Sequence, residues 1–470
     1  MSDDIVFMPL AEVAGKIASG ALTSAQVTRV MLDRIEAKDP ELNTYITVCG
    51  ESAMETAEAL DKMQAAGTRL SPMHGVPIAL KDNIETEGIR TTGASALFAD
   101  NIPEADATVA KRLKGAGTVM LGKLGLYELA FGRVHPDFGE SRNPFDPDKA
   151  CGASSSGPAA AVAAGMAYAS LGTDTGGSIR LPAAACGLVG LKPTYGVISR
   201  AGVLPAGYSL DHVGPLTRTV QDGSLMMAAM VGPDARDPAG SQNLAMDWTR
   251  PAADLAGIRI GVPVRQDSEL IGAEMQAAFD HALETLKAAG AELVPVTCPD
   301  HLHSRALMWA ISSVELAEAH RDYLREQPEK YTDGMRTNIL QGALLPATEY
   351  VHAQRARQAI AAAYAEIMTG VEVIAMPVVP MPAWTIGAET VTIGNEVEGL
   401  MPALTRYCPP FNMTGQPAVA LPLGVDAGGL PLSFQLAGRM HDDARLMQIA
   451  AAFEKAADWA QIDFASARMA

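Results

Sequence analysis

Between Cys151 and Arg180 the chain is made mostly of glycine, alanine and small hydroxyl residues, and this stretch narrows the folds open to it more than any other. Two loops, Cys151-Gly-Ala-Ser-Ser-Ser-Gly-Pro158 and Asp174-Thr-Gly-Gly-Ser-Ile-Arg180, flank an Ala-rich segment, 159–170. That segment reads as a buried helix followed by a strand over 168–172. Two hydroxyl-bearing loops are thereby tied together at short range, which is the layout of a site.

The surrounding sequence has the grammar of an α/β protein. Thr23 and Ser24 make a plausible N-cap for a helix over 25–38, whose Val27, Val30, Met31 and Ile35 fall at helical spacing. A second helix over 51–66 completes an N-terminal helical layer, 1–70. Gly75-Val-Pro-Ile-Ala-Leu80 reads as a doubly buried strand ending at Lys81. A short helix over 105–114 and a strand over 118–121 follow, an order that implies a right-handed parallel crossover. The pattern recurs at 258–262, a helix carrying Met275, Phe279, Leu283 and Leu286 and stopped by Gly290, and 293–296. Helices over 303–325, 347–368 and 442–457 and strands over 371–376, 418–423 and 432–436 are expected beyond, with 377–410 rich in loop. One single large domain with a twisted mixed sheet flanked by helices accounts for all of this, with 71–230 as its core and 255–470 as its second half. Residues 232–257, rich in Pro, Asp and Gly, are the best candidate for a connection between them.

Composition excludes several classes. The formal charge is −18, from 54 acidic and 36 basic residues without a basic run, which argues against direct nucleic-acid or anionic membrane binding. Cys49, Cys151, Cys186, Cys298 and Cys408 are scattered and form no C-x-x-C pair, so neither a disulfide framework nor a zinc site is expected and a reducing cytoplasm fits best. The histidines are dispersed apart from His301-x-His303, which would not share a helix face, so no metal and no organic cofactor is expected. Gly117 to Leu124 nearly matches a phosphate-binding loop, but Leu124 stands where a hydroxyl is needed and the middle reads as strand. The G-x-S-x-G elbow of many serine hydrolases is missing from both serine clusters.

A lone Ser-rich loop is more often inert than catalytic, but three features favour chemistry here. Thr175-Gly-Gly-Ser178 follows a predicted strand and opens a helix, so its N–H groups can turn inward around an oxyanion. Ser154 to Ser156 also stand at a helix start, where Ser156 could simply cap. Lys81 ends one strand as Ser178 follows another, and the carboxyl ends of parallel strands share a rim where ligands bind. A lysine acts as a base only when neutral, so its pKa must fall from about 10.4 to near neutrality, a differential of roughly 4 kcal/mol. Burial among Pro77, Ile78, Ala79 and Leu80 pushes that way, provided that strand alternation turns Asp82 aside. The bland alternative is a surface lysine paired with Asp82.

At these residues the chain resembles the amidase signature family. The resemblance rests on His74-Gly-Val-Pro-Ile-Ala-Leu-Lys81-Asp-Asn, the Gly/Ser loop from Gly152, Asp174-Thr-Gly-Gly-Ser178-Ile-Arg-Leu-Pro-Ala and Gly187-Leu-Val-Gly-Leu-Lys-Pro-Thr194. Phe411-Asn-Met-Thr-Gly-Gln-Pro417 and Gly429-Leu-Pro-Leu-Ser-Phe-Gln435 extend it along nearly the whole chain. It implies a Ser, cis-Ser, Lys triad of Ser178 as nucleophile, Ser154 as relay and Lys81 as base. The backbone N–H groups of Thr175, Gly176, Gly177 and Ser178 would form the oxyanion hole, and the Ala153–Ser154 peptide would be cis. Two departures stand out: Gly-Ala-Ser-Ser-Ser-Gly-Pro replaces a frequent Gly-Gly-Ser-Ser-Gly-Gly-Ser, and Lys123-Leu-Gly-Leu replaces a common Lys-Thr-Asn-Met.

The implied activity is hydrolysis of a small-molecule carboxylic amide, with Met308, Trp309 and Trp384 leaning toward an aryl or alkyl amide. Pocket walls are expected from parts of 124–137, 300–345 and 376–410. Arg180 and Arg406 suit either a substrate carboxylate or structural ion pairs. The alternative is the A subunit of a glutamine-dependent transfer-RNA amidotransferase complex. Against it, Gly334-Met-Arg-Thr-Asn-Ile-Leu-Gln-Gly342 stands where that subunit usually shows a basic stretch. A homodimer is left open.

Overall fold

Strand β2, Pro77–Lys81, is buried at every position and lies inside a large sheet, the third strand from one edge. The computed structural model that shows this describes residues 5–240, 246–250, 252–264, 270–457 and 464. Strand β1, Tyr45–Val48, runs antiparallel to β3, Val119–Leu124, which is parallel to β2. On its other side β2 runs parallel to β6, Ala169–Asp174, with Ala79 opposite Ser170. Two small strands, β4, Arg142–Asn143, and β5, Asp146–Ala150, form a separate hairpin. The sheet continues antiparallel from β6 through β8, His212–Thr217, to β7, Val189–Lys192. Next come β14, Ala418–Val425, β15, Pro431–Gly438, and β11, Val373–Pro377, each antiparallel to its neighbour. Two parallel pairings then reach β9, Arg259–Pro263, and the edge strand β10, Glu292–Val296. Among the described residues, then, eleven strands make one mixed sheet in a single α/β domain, as expected.

The helices follow from local sequence. Ser24–Leu42 begins with a reciprocal cap, in which Thr23 Oγ1 accepts the Gln26 N–H and the Gln26 side chain accepts the Thr23 N–H. Ala273–Ala288 buries Met275, Phe279, Ala282 and Leu286 on one face. Both expected crossovers form, through Thr108–Gly115 between β2 and β3 and through Ala273–Ala288 between β9 and β10. Ser156–Ala163 is buried at all eight positions, because alanine and glycine leave nothing that must reach water. A Cβ on Gly157 would stand 2.5 Å from the Gly125 nitrogen, so this helix docks as closely as it does only without a side chain there.

Two elements differ from expectation. The helix expected over 303–325 is two, His301–Ala319 and Arg321–Glu326, broken at His320. Within 377–410 there is a hairpin of β12, Thr390–Ile393, and β13, Glu396–Gly399, followed by the helix Leu400–Leu404. Its two-residue turn, Gly394-Asn395, has Gly394 at φ 63°, the positive φ that such tight turns require. The connection expected over 232–257 lies partly outside the described residues, at 241–245 and 251. No described helix is long and apolar enough to cross a membrane.

Candidate active site

Because β2 and β6 are parallel neighbours, Lys81 and the loop after Asp174 emerge on one rim of the sheet. Lys81 is fully buried, and its Nζ donates to Ser154 Oγ at 2.8 Å, Ser155 Oγ at 3.0 Å and Thr173 Oγ1 at 2.7 Å. Among the described residues, three neutral hydroxyls and no carboxylate contact the amine. Burial lowers its pKa to about 7, against the opposing pull of the Asp174 and Asp211 charges. Asp82 does point away, as alternation along the strand requires. Its carboxylate lies 3.4 Å from Lys123 Nζ and accepts the Thr92 N–H at 2.8 Å. Lys123 itself donates to the Ile84 carbonyl and Thr91 Oγ1, so the lysine of the near phosphate-loop motif ties β3 to the segment that follows β2.

The hydroxyl partners of Lys81 are arranged for both protonation states. Ser155 Oγ donates to the Thr173 carbonyl at 3.1 Å, so it receives rather than gives a hydrogen at the amine. Asn83 Nδ2 donates to Thr173 Oγ1 at 3.2 Å. A neutral amine placed here gives its two hydrogens to Ser155 and Thr173 and turns its lone pair to the Ser154 hydroxyl; an ammonium gives three hydrogens to the same three oxygens. Neither Ser155 nor Thr173 stood out from the sequence, although Ser155 adjoins Ser154 and Thr173 adjoins Asp174. Glycine makes the room: a Cβ on Gly172 would lie 2.7 Å from Ser155 Oγ.

Ser178 Oγ accepts the Ser154 N–H at 3.4 Å, the one hydrogen bond between the two serines among the described residues. All peptide bonds of the described residues are trans, which corrects the expectation at Ala153–Ser154. The loop turns at Gly152 instead, where φ is 98° and a Cβ would lie 2.5 Å from the Pro182 backbone. Ser178 also precedes its helix rather than opening it, since Arg180–Ala185 starts two residues later with Ile179 at the cap position.

The second loop is organised by Asp174, a residue without an assigned role in the sequence. Its carboxylate accepts the Gly177 N–H at 2.7 Å, the Ile179 N–H at 3.2 Å and the Asn412 side chain at 2.8 Å. Arg180 completes the ring through Nε at 3.0 Å and Nη2 at 3.1 Å, holding the carboxyl well below the usual carboxylate range although burial opposes it. Arg180 is therefore a buried structural cation, also bound to the Cys408 carbonyl and Gln435. Arg406 pairs with Glu398. Asn412, which heads a glycosylation-like triplet, is buried against Asp174. The oxyanion expectation changes at one position: the Gly177 N–H is taken by Asp174, whereas those of Gly176 and Ser178 have no acceptor among the described residues. Thr175 is held through Oγ1, which donates to Asp211 at 2.6 Å.

Ser154, Thr175, Gly176 and Ser178 line a pocket of about 1340 Å³, its open mouth included. Met308, Trp309 and Trp384 all line it, and its walls draw on each of the three expected segments. Phe131 packs edge-on against Trp309 at 4.9 Å, and Leu181 and Leu404 add further apolar surface. Among the described residues no group of three or more His, Cys, Asp or Glu could hold a metal.

A family model described as Amidase matches residues 26–447. The chain is 37% identical over 475 residues to the A subunit of the glutamyl-tRNA(Gln) amidotransferase of Geobacter metallireducens, covering 95% of this chain and 97% of that one. It is also 37% identical to an amidase of Pseudomonas putida over 97% of each chain. A solved structure described as an unexpected vestigial protein complex revealing the origins of an s-triazine catabolic enzyme superposes with a TM-score of 0.90 at 32% identity, covering 97% of this chain and 100% of that one.

Proposed function

The chain belongs to the amidase family, hydrolases of carbon–nitrogen bonds, and on that premise we propose that it cleaves an aryl or alkyl carboxylic amide through a seryl acyl-enzyme. The carrying observation is the buried Lys81 amine, its pKa lowered to about 7, 2.8 Å from the Oγ of Ser154, which lines the pocket together with Ser178. In this reading Lys81 accepts the Ser154 proton, Ser154 Oγ accepts that of Ser178, and Ser178 Oγ bonds to the amide carbon. The transfer requires the Ser178 hydroxyl to rotate from the Ser154 N–H toward its Oγ. The N–H groups of Thr175, Gly176 and Ser178 stabilise the oxyanion. The proton then passes to the leaving nitrogen, the carbon–nitrogen bond breaks, and ammonia or an amine departs. Water attacks the acyl carbon and releases the carboxylate and Ser178. Scattered, free cysteines favour a cytoplasmic site of action.

Turnover of a panel of aryl, aliphatic and amino-acid amides by wild type, Ser178→Ala and Lys81→Ala tests this reading. Both variants are expected to fold and to lose activity by about 10³-fold or more. Full activity of Ser178→Ala would overturn the mechanism.

The second reading, as the A chain of a transfer-RNA amidotransferase, is favoured by relatives bearing that name. Against it, the segment where such a chain usually carries basic residues lies here in the helix Asp333–Leu344, with Arg336 as its sole cation. Amide turnover by the isolated protein supports the free-standing enzyme, and turnover only after addition of partner subunits supports the complex.

A further inference from the structure

The walls of the active-site pocket are largely apolar, and three of its lining residues are charged: Arg133, Glu140 and Glu389. Arg133 and Glu389 face each other at 3.7 Å on the rim, each more than three-quarters exposed, so their charges offset one another. Glu140 is different. It is half-buried, and among the described residues its carboxylate has neither a hydrogen bond nor an ion pair. Only its backbone carbonyl is used, by Asn43 Nδ2 at 3.4 Å. Arg142, the one cation whose charge acts on it, is exposed and donates to the Pro147 carbonyl instead. The Glu140 charge is felt by the Tyr127 hydroxyl and the Cys151 thiol. Tyr127 donates to the Gly152 carbonyl at 3.2 Å, so this carboxylate borders the loop that carries Ser154.

A partly desolvated carboxylate without a protein partner is unfavourable, and a bound cation relieves it. Burial already pushes its pKa up, the mark of that cost. Phe131, Trp309 and Trp384 line the same pocket, and aromatic rings attract a cation placed over them. Resting on the amidase reading, we propose that Glu140 selects the substrate, and that the pocket is built for amides carrying a protonated amino group.

The test is a series of benzamides bearing a para aminoalkyl chain of one to three methylenes, each set against its alkyl isostere, at about pH 8 where the amine is protonated. For at least one chain length the cationic amide is expected to exceed its isostere in kcat/KM by about tenfold or more, chiefly through KM. In Glu140→Gln that ratio falls to about one. In Glu140→Asp, whose carboxylate is retracted by one methylene, the preference moves to the next longer chain. Thermal melting of both variants checks their folding. Equal use of each pair by wild type, or a preference that survives Glu140→Gln, overturns the proposal. Calorimetric titration with 4-ethylbenzylammonium reads the same site without catalysis. Binding lost in Glu140→Gln supports the proposal even if no amide is turned over, which would count against the amidase reading alone, and equal binding by wild type and variant sinks it.

Discussion

Lys81 is the base of the proposed reaction, and its surroundings make its titration measurable. With its pKa near 7, the amine is neutral above that value and protonated below it, so kcat/KM is expected to rise with pH through about 7. Thr173→Val removes one oxygen from the amine. The ammonium form loses a charge-assisted hydrogen bond and the neutral form a weaker one, so the rising limb should shift down by about one pH unit, with reduced kcat. An unmoved limb would show that Thr173 does not touch the titrating group. Asp174→Asn leaves the fully buried Arg180 without its counter-ion, and about 3–5 kcal/mol of stability is expected to disappear in denaturant titration. Lys81, Ser154 and Ser178 were legible as candidates in the sequence because small residues and a strand end announced them. Ser155, Thr173 and Asp174 were not, because their roles depend on contacts with residues distant in sequence, Lys81 for Ser155 and Thr173 and Asn412 for Asp174, which residue type alone does not specify.

At the scale of elements, long periodic segments and apolar runs were legible, and elements with mixed signals were not. The strand β8 contains Gly214 and Pro215, residue types that weaken a strand interior, and no element is expected there from the sequence, yet all six of its residues are buried between two neighbours. The hairpin of β12 and β13 sits among prolines and glycines, and its Gly-Asn turn was lost in that background. Packing between Asp443–Ala456 and Val220–Met230 yields a further prediction. Glu454 accepts the Val220 N–H at 2.9 Å, yet burial first, and then Asp222, raise its pKa from 4.5 to about 7. A carboxyl whose folded value lies above its unfolded one favours the fold while protonated. That stability is complete below about 4.5 and lost as pH rises through about 7. Glu454→Gln should therefore melt above wild type by about 2 °C more at pH 8.5 than at pH 5, and an equal difference at both would refute the coupling.

Across the whole molecule, one sheet joins the two halves through the β7–β14 pairing, and Asp443–Ala456 packs back onto Val220–Met230 from the first half. Neither half has a closed boundary of its own, so chemical unfolding is expected as one transition, with fluorescence and circular dichroism superimposable. Two separated transitions would show that the halves fold apart. The division of labour within that sheet has a consequence for how such a chain diversifies. Of the groups proposed to move protons, Lys81 ends β2, Ser178 follows β6 and Ser154 precedes the buried helix Ser156–Ala163, all in the first half, whereas Trp309, Trp384 and Leu404 reach the cavity from excursions belonging to the other half. Replacing those excursions would retune which molecules are accepted while the reacting groups stay in register, so an ancestral scaffold of this kind could acquire new diets by loop exchange alone.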